Sequence, residues 1–147
     1  MNIFNNYSLI KSIKSYNNNN IYNNYFYQLT SFNFICTSFN GYIVIDYSNS
    51  VIIKFNQNFS CVSSYYLRNA RFIITVNNSN TNEIYVSSYN GVYKFNIALT
   101  LIGSYFRNSY QFNGLYYNQT GDYVLACSNE YYIEFLRRDD LTFIKYL

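Results

Sequence analysis

Residues 40–55, NGYIVIDYSNSVIIKF, decide the fold. Two apolar runs, Tyr42 to Asp46 and Val51 to Phe55, flank the polar stretch Tyr47-Ser48-Asn49-Ser50. Runs of about five β-branched and aromatic residues split by turn formers read as an antiparallel hairpin. The stretch recurs as NEIYVSSYNGVYKF at 82–95 and GDYVLACSNEYYIEF at 121–135, so Phe55, Phe95 and Phe135 stand 40 residues apart. Lys54, Lys94 and Glu134 precede them, and Asn49, Asn90 and Asn129 mark the turns. The steps Asn40-Gly41 and Asn90-Gly91 suit the positive φ angles of a type I′ turn, with Asn129-Glu130 a weaker match in the third unit.

Outward from these hairpins, a further strand follows each unit: SLIKSI from Ser8, SCVSSY from Ser60, TLIGSY from Thr100 and TFIKYL from Thr142. The second unit therefore holds four short strands, SCVSSY, FIITVN, EIYVSSY and VYKF. Phe-Asn at Phe55-Asn56 and Phe95-Asn96 recurs at Phe4-Asn5, which places the last strand of an earlier unit at the start of the chain. The units run 4–55, 55–95 and 95–135 within one repeat domain over 1–147, and 136–147 starts a further one. The first unit is longer than the others, and its excess coincides with NNNNIYNNYFY, read as an inserted loop. Runs such as YIVIDY are apolar on both faces, as expected of a sheet sandwiched between neighbours. Short antiparallel strands repeated every 40 residues describe blades of a β-propeller-like array. The fold class is all-β, with tandem four-stranded antiparallel blades in an incomplete ring of about 3–4 blades.

Composition agrees with this class. Tyr and Phe supply 33 of 147 residues, proline and tryptophan are absent, and 25 asparagines supply turns. A net charge of +3 is far from the concentrated field of a dedicated nucleic-acid binder. Cys36, Cys61 and Cys127 lack CxxC spacing and sit in apolar runs, which reads as buried free thiols. The first residues lack an uninterrupted apolar core and cleavage site, and no stretch approaches about 18 apolar residues. A soluble chain without a membrane partner is expected. Four N-x-Ser/Thr sequons, at Asn6, Asn58, Asn77 and Asn118, match the chance number for this composition and say nothing of the compartment.

The units resemble those of NHL-type and related YVTN-type β-propellers, in which a glycine-led apolar strand, a turn, an Ile-Tyr-Val-Ala-Asp-like strand and an Asn precede a closing Phe. Gly41 to Phe55 matches this pattern with Asp46 and Asn49, and Gly114 to Phe135 matches with Cys127 where Asp is usual. EIYVSSYNGVYKF has Ser87 at that place, and the histidine of the family is missing because the chain has none. Such propellers close with more units than this chain holds. The resemblance therefore implies remaining blades elsewhere, or copies associating through open sheet edges.

Catalysis has few groups to use. There is no histidine, and the carboxylates are Asp46, Glu83, Asp122, Glu130, Glu134, Asp139 and Asp140. Asp46 reads as a turn hydrogen bonder, Asp122 as a hairpin residue, and Arg137-Arg138-Asp139-Asp140 as a solvated loop between units. No catalytic, metal or cofactor site is assigned, and a metal-dependent lactonase-like hydrolase ranks last among the readings. The loops SYYLRNARF and SYFRNSYQF place Arg68, Arg71 and Arg107 beside Tyr66, Tyr105 and Tyr110 on one face of adjacent blades. The favoured reading is a non-catalytic scaffold that holds a protein or other macromolecule on this face. The alternative, which the resemblance implies, is single-stranded RNA stacked on the same arginines and tyrosines.

Overall fold

The computed structural model describes residues 32–38, 40–58, 60–77, 82–108, 111–118 and 122–147, with backbone alone for 32–38 and Asn77. The Phe4-Asn5 step, SLIKSI, the asparagine-rich insertion and Tyr110 lie outside the described residues. Among those described, every regular element is a strand: β1 (Phe32–Ser38), β2 (Gly41–Asp46), β3 (Val51–Asn56), β4 (Cys61–Tyr66), β5 (Ala70–Asn77), β6 (Asn82–Ser88), β7 (Gly91–Asn96), β8 (Leu101–Phe106), β9 (Phe112–Tyr117), β10 (Tyr123–Ser128), β11 (Ile133–Arg137) and β12 (Phe143–Tyr146). They form three antiparallel four-stranded meanders, β1–β4, β5–β8 and β9–β12, each in sequence order.

The sheets are out of phase with the sequence units by one strand. SCVSSY does not open the sheet of FIITVN. As β4 it pairs with β3, and TFIKYL, expected to begin a further blade, pairs as β12 with β11. The reason lies in the Phe-Asn step. Asn56 Oδ1 accepts the backbone N–H groups of Asn58 and Ser60, and Asn96 Oδ1 accepts those of Ala98 and Thr100. Turns closed this tightly by an Asx side chain lay the next strand beside its predecessor. A sequence unit such as 55–95 therefore straddles two sheets.

The third closing phenylalanine is also displaced by one position. Each third-to-fourth strand pair has its β-bulge at the same place, Lys54/Phe55, Lys94/Phe95 and Phe135/Leu136. Leu136, not Phe135, is the counterpart of Phe55 and Phe95, and all three side chains are buried. A one-residue slip turns a side chain to the opposite face. Phe135 accordingly takes the place of Lys54 and Lys94, and Glu134 that of Ile53 and Tyr93.

The turn chemistry differs from expectation as well. Asn40 is left-handed (φ 59°), but neither Asn90 nor any glycine among the described residues is. Gly41 and Gly91 answer a different need, close approach of the adjoining strand. A Cβ at Gly41 would lie 1.9 Å from the Phe55 carbonyl oxygen, and one at Gly91 would lie 2.3 Å from that of Tyr105.

Two cores join the sheets. Ile43, Ile45 and Ile52 of the first sheet pack against Ile73, Ile84, Val86 and Phe95 of the second. Tyr85 and Val92 of the second pack with Phe112, Val124, Ala126 and Leu136 of the third. Leu99 and Leu141, in the β7–β8 and β11–β12 turns, close one core each from a left-handed backbone (φ 60° in both). A bulky residue there is strained, and it persists only because its surroundings fix it. The continuous apolar runs are explained by this sandwiching: in β6, Ile84 and Val86 face the first sheet and Tyr85 the third, and all three are buried.

Candidate binding rim

Antiparallel meanders place the β2–β3, β4–β5, β6–β7, β8–β9 and β10–β11 connections at one end of the sheets. Tyr66, 70% exposed, ends β4 there, and Arg68 lies exposed in the following connection. The expected partners Arg71 and Arg107 belong to the same end but are engaged within the protein. Arg71 donates from Nη1 to Asn113 Oδ1 at 2.9 Å and lies over the Tyr89 ring, 5.3 Å from its centroid. Arg107 donates to the buried Glu134 carboxylate.

Arg68 and Arg107 are not structural counterparts either. Leu67 N–H donates to the Ser50 carbonyl and Arg107 N–H to that of Asn90, which makes Leu67 the equivalent of Arg107. Tyr105 is half-buried against Phe112 and Phe143, and burial, together with the neighbouring Glu134 carboxylate, pushes its hydroxyl pKa up.

Sequence reasoning missed the tyrosines in the other connections of this end. Tyr47, Tyr89, Tyr131 and Tyr132 are all exposed, and Tyr131, at 98%, projects from a left-handed backbone (φ 67°). Their signal was their position in the polar stretches that split each hairpin.

Asp46, Glu83, Glu134 and Asp140 serve the scaffold. Asp46, fully buried, accepts from Asn49 N–H at 3.2 Å and Asn49 Nδ2 at 2.8 Å, the turn role expected of it. Asp140 accepts from the backbone and hydroxyl of Thr142. Glu83 is held by Lys94 (3.1 Å), Arg138 (3.1 Å) and the Tyr85 hydroxyl (2.7 Å). Burial alone pushes the Glu83 carboxyl up, but those hydrogen bonds and the Lys94 charge outweigh it and hold the group below its ordinary value.

In the run Arg137 to Asp140, Arg137, Asp139 and Asp140 are exposed as expected, but Arg138 is drawn in by Glu83, and the run does not link two sheets. It ends β11 and opens the β11–β12 turn, where Arg138 and Asp139 offer their carbonyls to Lys94. Cys61 and Cys127 are free and half-buried. Among the described residues no three His, Cys, Asp or Glu side chains cluster, and no helix is long and apolar enough to cross a membrane.

Three blade-like antiparallel meanders stacked face to face define the class, an incomplete β-propeller. The chain is similar to the computationally designed Ika8 protein, with a TM-score of 0.68 at 9% identity over 80% of this chain and 36% of that one. It is also similar to the Neurospora crassa Pan2 WD40 domain (TM-score 0.63, 13% identity, 79% and 35% covered). A third likeness is to BBS1N, solved in complex with ARL6DN (TM-score 0.60, 16% identity, 69% and 32% covered). The chain thus spans about a third of the length of each. No family model matches, and no curated protein matches.

Proposed function

We propose that the chain is a non-catalytic interaction module that holds a protein partner on the rim carrying Tyr66, Arg68, Tyr89, Tyr131 and Tyr132. The observation that carries this reading is the exposure of these aromatic side chains at the ends of rigid sheets, with Tyr131 extended into solvent. Exposed tyrosines of this kind present large, amphipathic contact area at low entropic cost. The likeness to BBS1N, solved in complex with a protein, supports the same use of the fold. We also take the units to be of NHL type, on the strength of the Gly41 to Phe55 pattern.

The RNA alternative requires Arg68, Arg71 and Arg107 to act together. Two of these guanidinium groups are engaged with Asn113 and Glu134, which favours a protein partner. The test is recovery of cross-linked partners from the source cell with the wild-type chain, a Tyr66→Ser/Arg68→Ala/Tyr131→Ser variant, and Val62→Thr on the outer edge as control. Loss of the same protein in the rim variant alone supports the proposal, and identical recovery from all three contradicts it. Affinity for single-stranded RNA that falls steeply with salt would support the alternative instead.

A further inference from the structure

Charge is sorted between the two ends of the sheets. All 7 side-chain carboxylates lie among the described residues. On the rim that carries Tyr66 and Tyr131, Asp46 and Glu134 are fully buried, which leaves Glu130, in the β10–β11 connection of the third sheet, as its one exposed carboxylate. Asp122, Asp139 and Asp140 are exposed at the opposite end, in the β9–β10 and β11–β12 connections.

The cations differ in whether a carboxylate answers them. At the opposite end, Lys94 and Arg138 pair with Glu83, and the charge of Arg137 acts on Asp140. On the rim, Arg107 pairs with Glu134. Arg68 and Arg71 have no such partner, because every carboxylate of the chain is placed and none forms an ion pair with either. The two stand on either side of Asn69, whose left-handed backbone (φ 57°) turns the chain from β4 into β5. Arg68 is exposed. Arg71 touches neutral groups, the Asn113 amide oxygen and the Tyr89 ring, which fix the plane of its guanidinium and leave its charge uncompensated.

We infer that this corner binds an acidic segment of the protein partner, with carboxylates on Arg68 and Arg71 beside Tyr66, an inference that rests on the rim contact proposed above. A planar guanidinium matches a carboxylate with two parallel hydrogen bonds, and one already held by stacking loses little freedom when it does so. Glu130 repels an acidic segment at the third sheet, so the sorted charges also orient the partner along the rim. Two uncompensated cations are too few to track the phosphates of a nucleic acid.

The experiment is fluorescence anisotropy of labelled oligoglutamate, oligolysine and oligouridylate with the full chain, at low and at physiological salt. Oligoglutamate is expected to bind, oligolysine is not, and the binding should weaken as salt screens the rim. Arg68→Glu, at an exposed position, should weaken it by about fivefold or more, the size of one exposed ion pair. Arg137→Glu makes the same change of charge at the opposite end and should leave binding as it was. No binding of oligoglutamate, equal losses from the two variants, or tighter binding of oligouridylate would overturn the inference. Cross-linked recovery from the source cell separates it from the rim contact itself: a partner lost with Tyr131→Ser but retained with Arg68→Glu keeps the rim contact and overturns the acidic segment.

Discussion

Arg107 and Glu134 form an ion pair across the junction of the second and third sheets, where the junction of the first and second has Leu67 in an apolar core. The carboxylate is fully buried, whereas Arg107 keeps 33% of its side-chain surface. The one-residue slip that buries Leu136 also turns Glu134 inward, and Arg107 is the cation that makes its burial tolerable.

Removing Arg107 alone should therefore destabilise the fold. Arg107→Ala is expected to cost on the order of 3 kcal/mol, the low end for a broken interior pair because the arginine is partly solvated. Arg107→Leu/Glu134→Leu, which recreates the apolar character of the Leu67 junction, should recover most of that loss. Urea denaturation of the double variant, taken with Arg107→Leu and Glu134→Leu alone, gives the coupling.

Leu99 sets two effects against each other, a favourable plug in the core and an unfavourable left-handed backbone. Leu99→Ala should lose about 2–3 kcal/mol through the cavity while keeping the strained φ. Leu99→Gly loses the same plug but relieves the strain, so it should be about 1 kcal/mol more stable than the alanine variant. That ordering reverses the usual one, and thermal melts of both proteins check it directly.

Two glycines separate close approach from simple absence of a side chain. Gly91→Ala forces a Cβ into a backbone carbonyl and should cost about 3 kcal/mol, the top of the usual overpacking range. At Gly103 a Cβ would sit 3.7 Å from the Lys94 Cβ, an ordinary contact, so Gly103→Ala should be neutral or mildly stabilising. Equal losses from both would contradict the register between β7 and β8.

The Glu83 cluster gives the junction a pH dependence of definite sign. The folded carboxyl lies below its ordinary value of 4.5, so its contribution is complete above that pH and lost as pH falls through the lower folded value. Denaturation midpoints measured from neutral to strongly acidic pH should fall more steeply for wild type than for Glu83→Gln. Parallel curves would assign the acid loss to other groups.

The amino-acid sequence by itself determined the all-β class, the antiparallel hairpins and their repetition, because alternating apolar runs and turn formers act over a few residues. The turn role of Asp46 was equally local. Tertiary structure decided what depends on partners distant in sequence. The turns capped by Asn56 and Asn96 assign β4 and β8 to the preceding sheet, and a bulge makes Leu136 the true counterpart of Phe95. Arg107 looked free in the sequence because Glu134 lies 27 residues away, and only packing of one sheet on the next brings the two charges together.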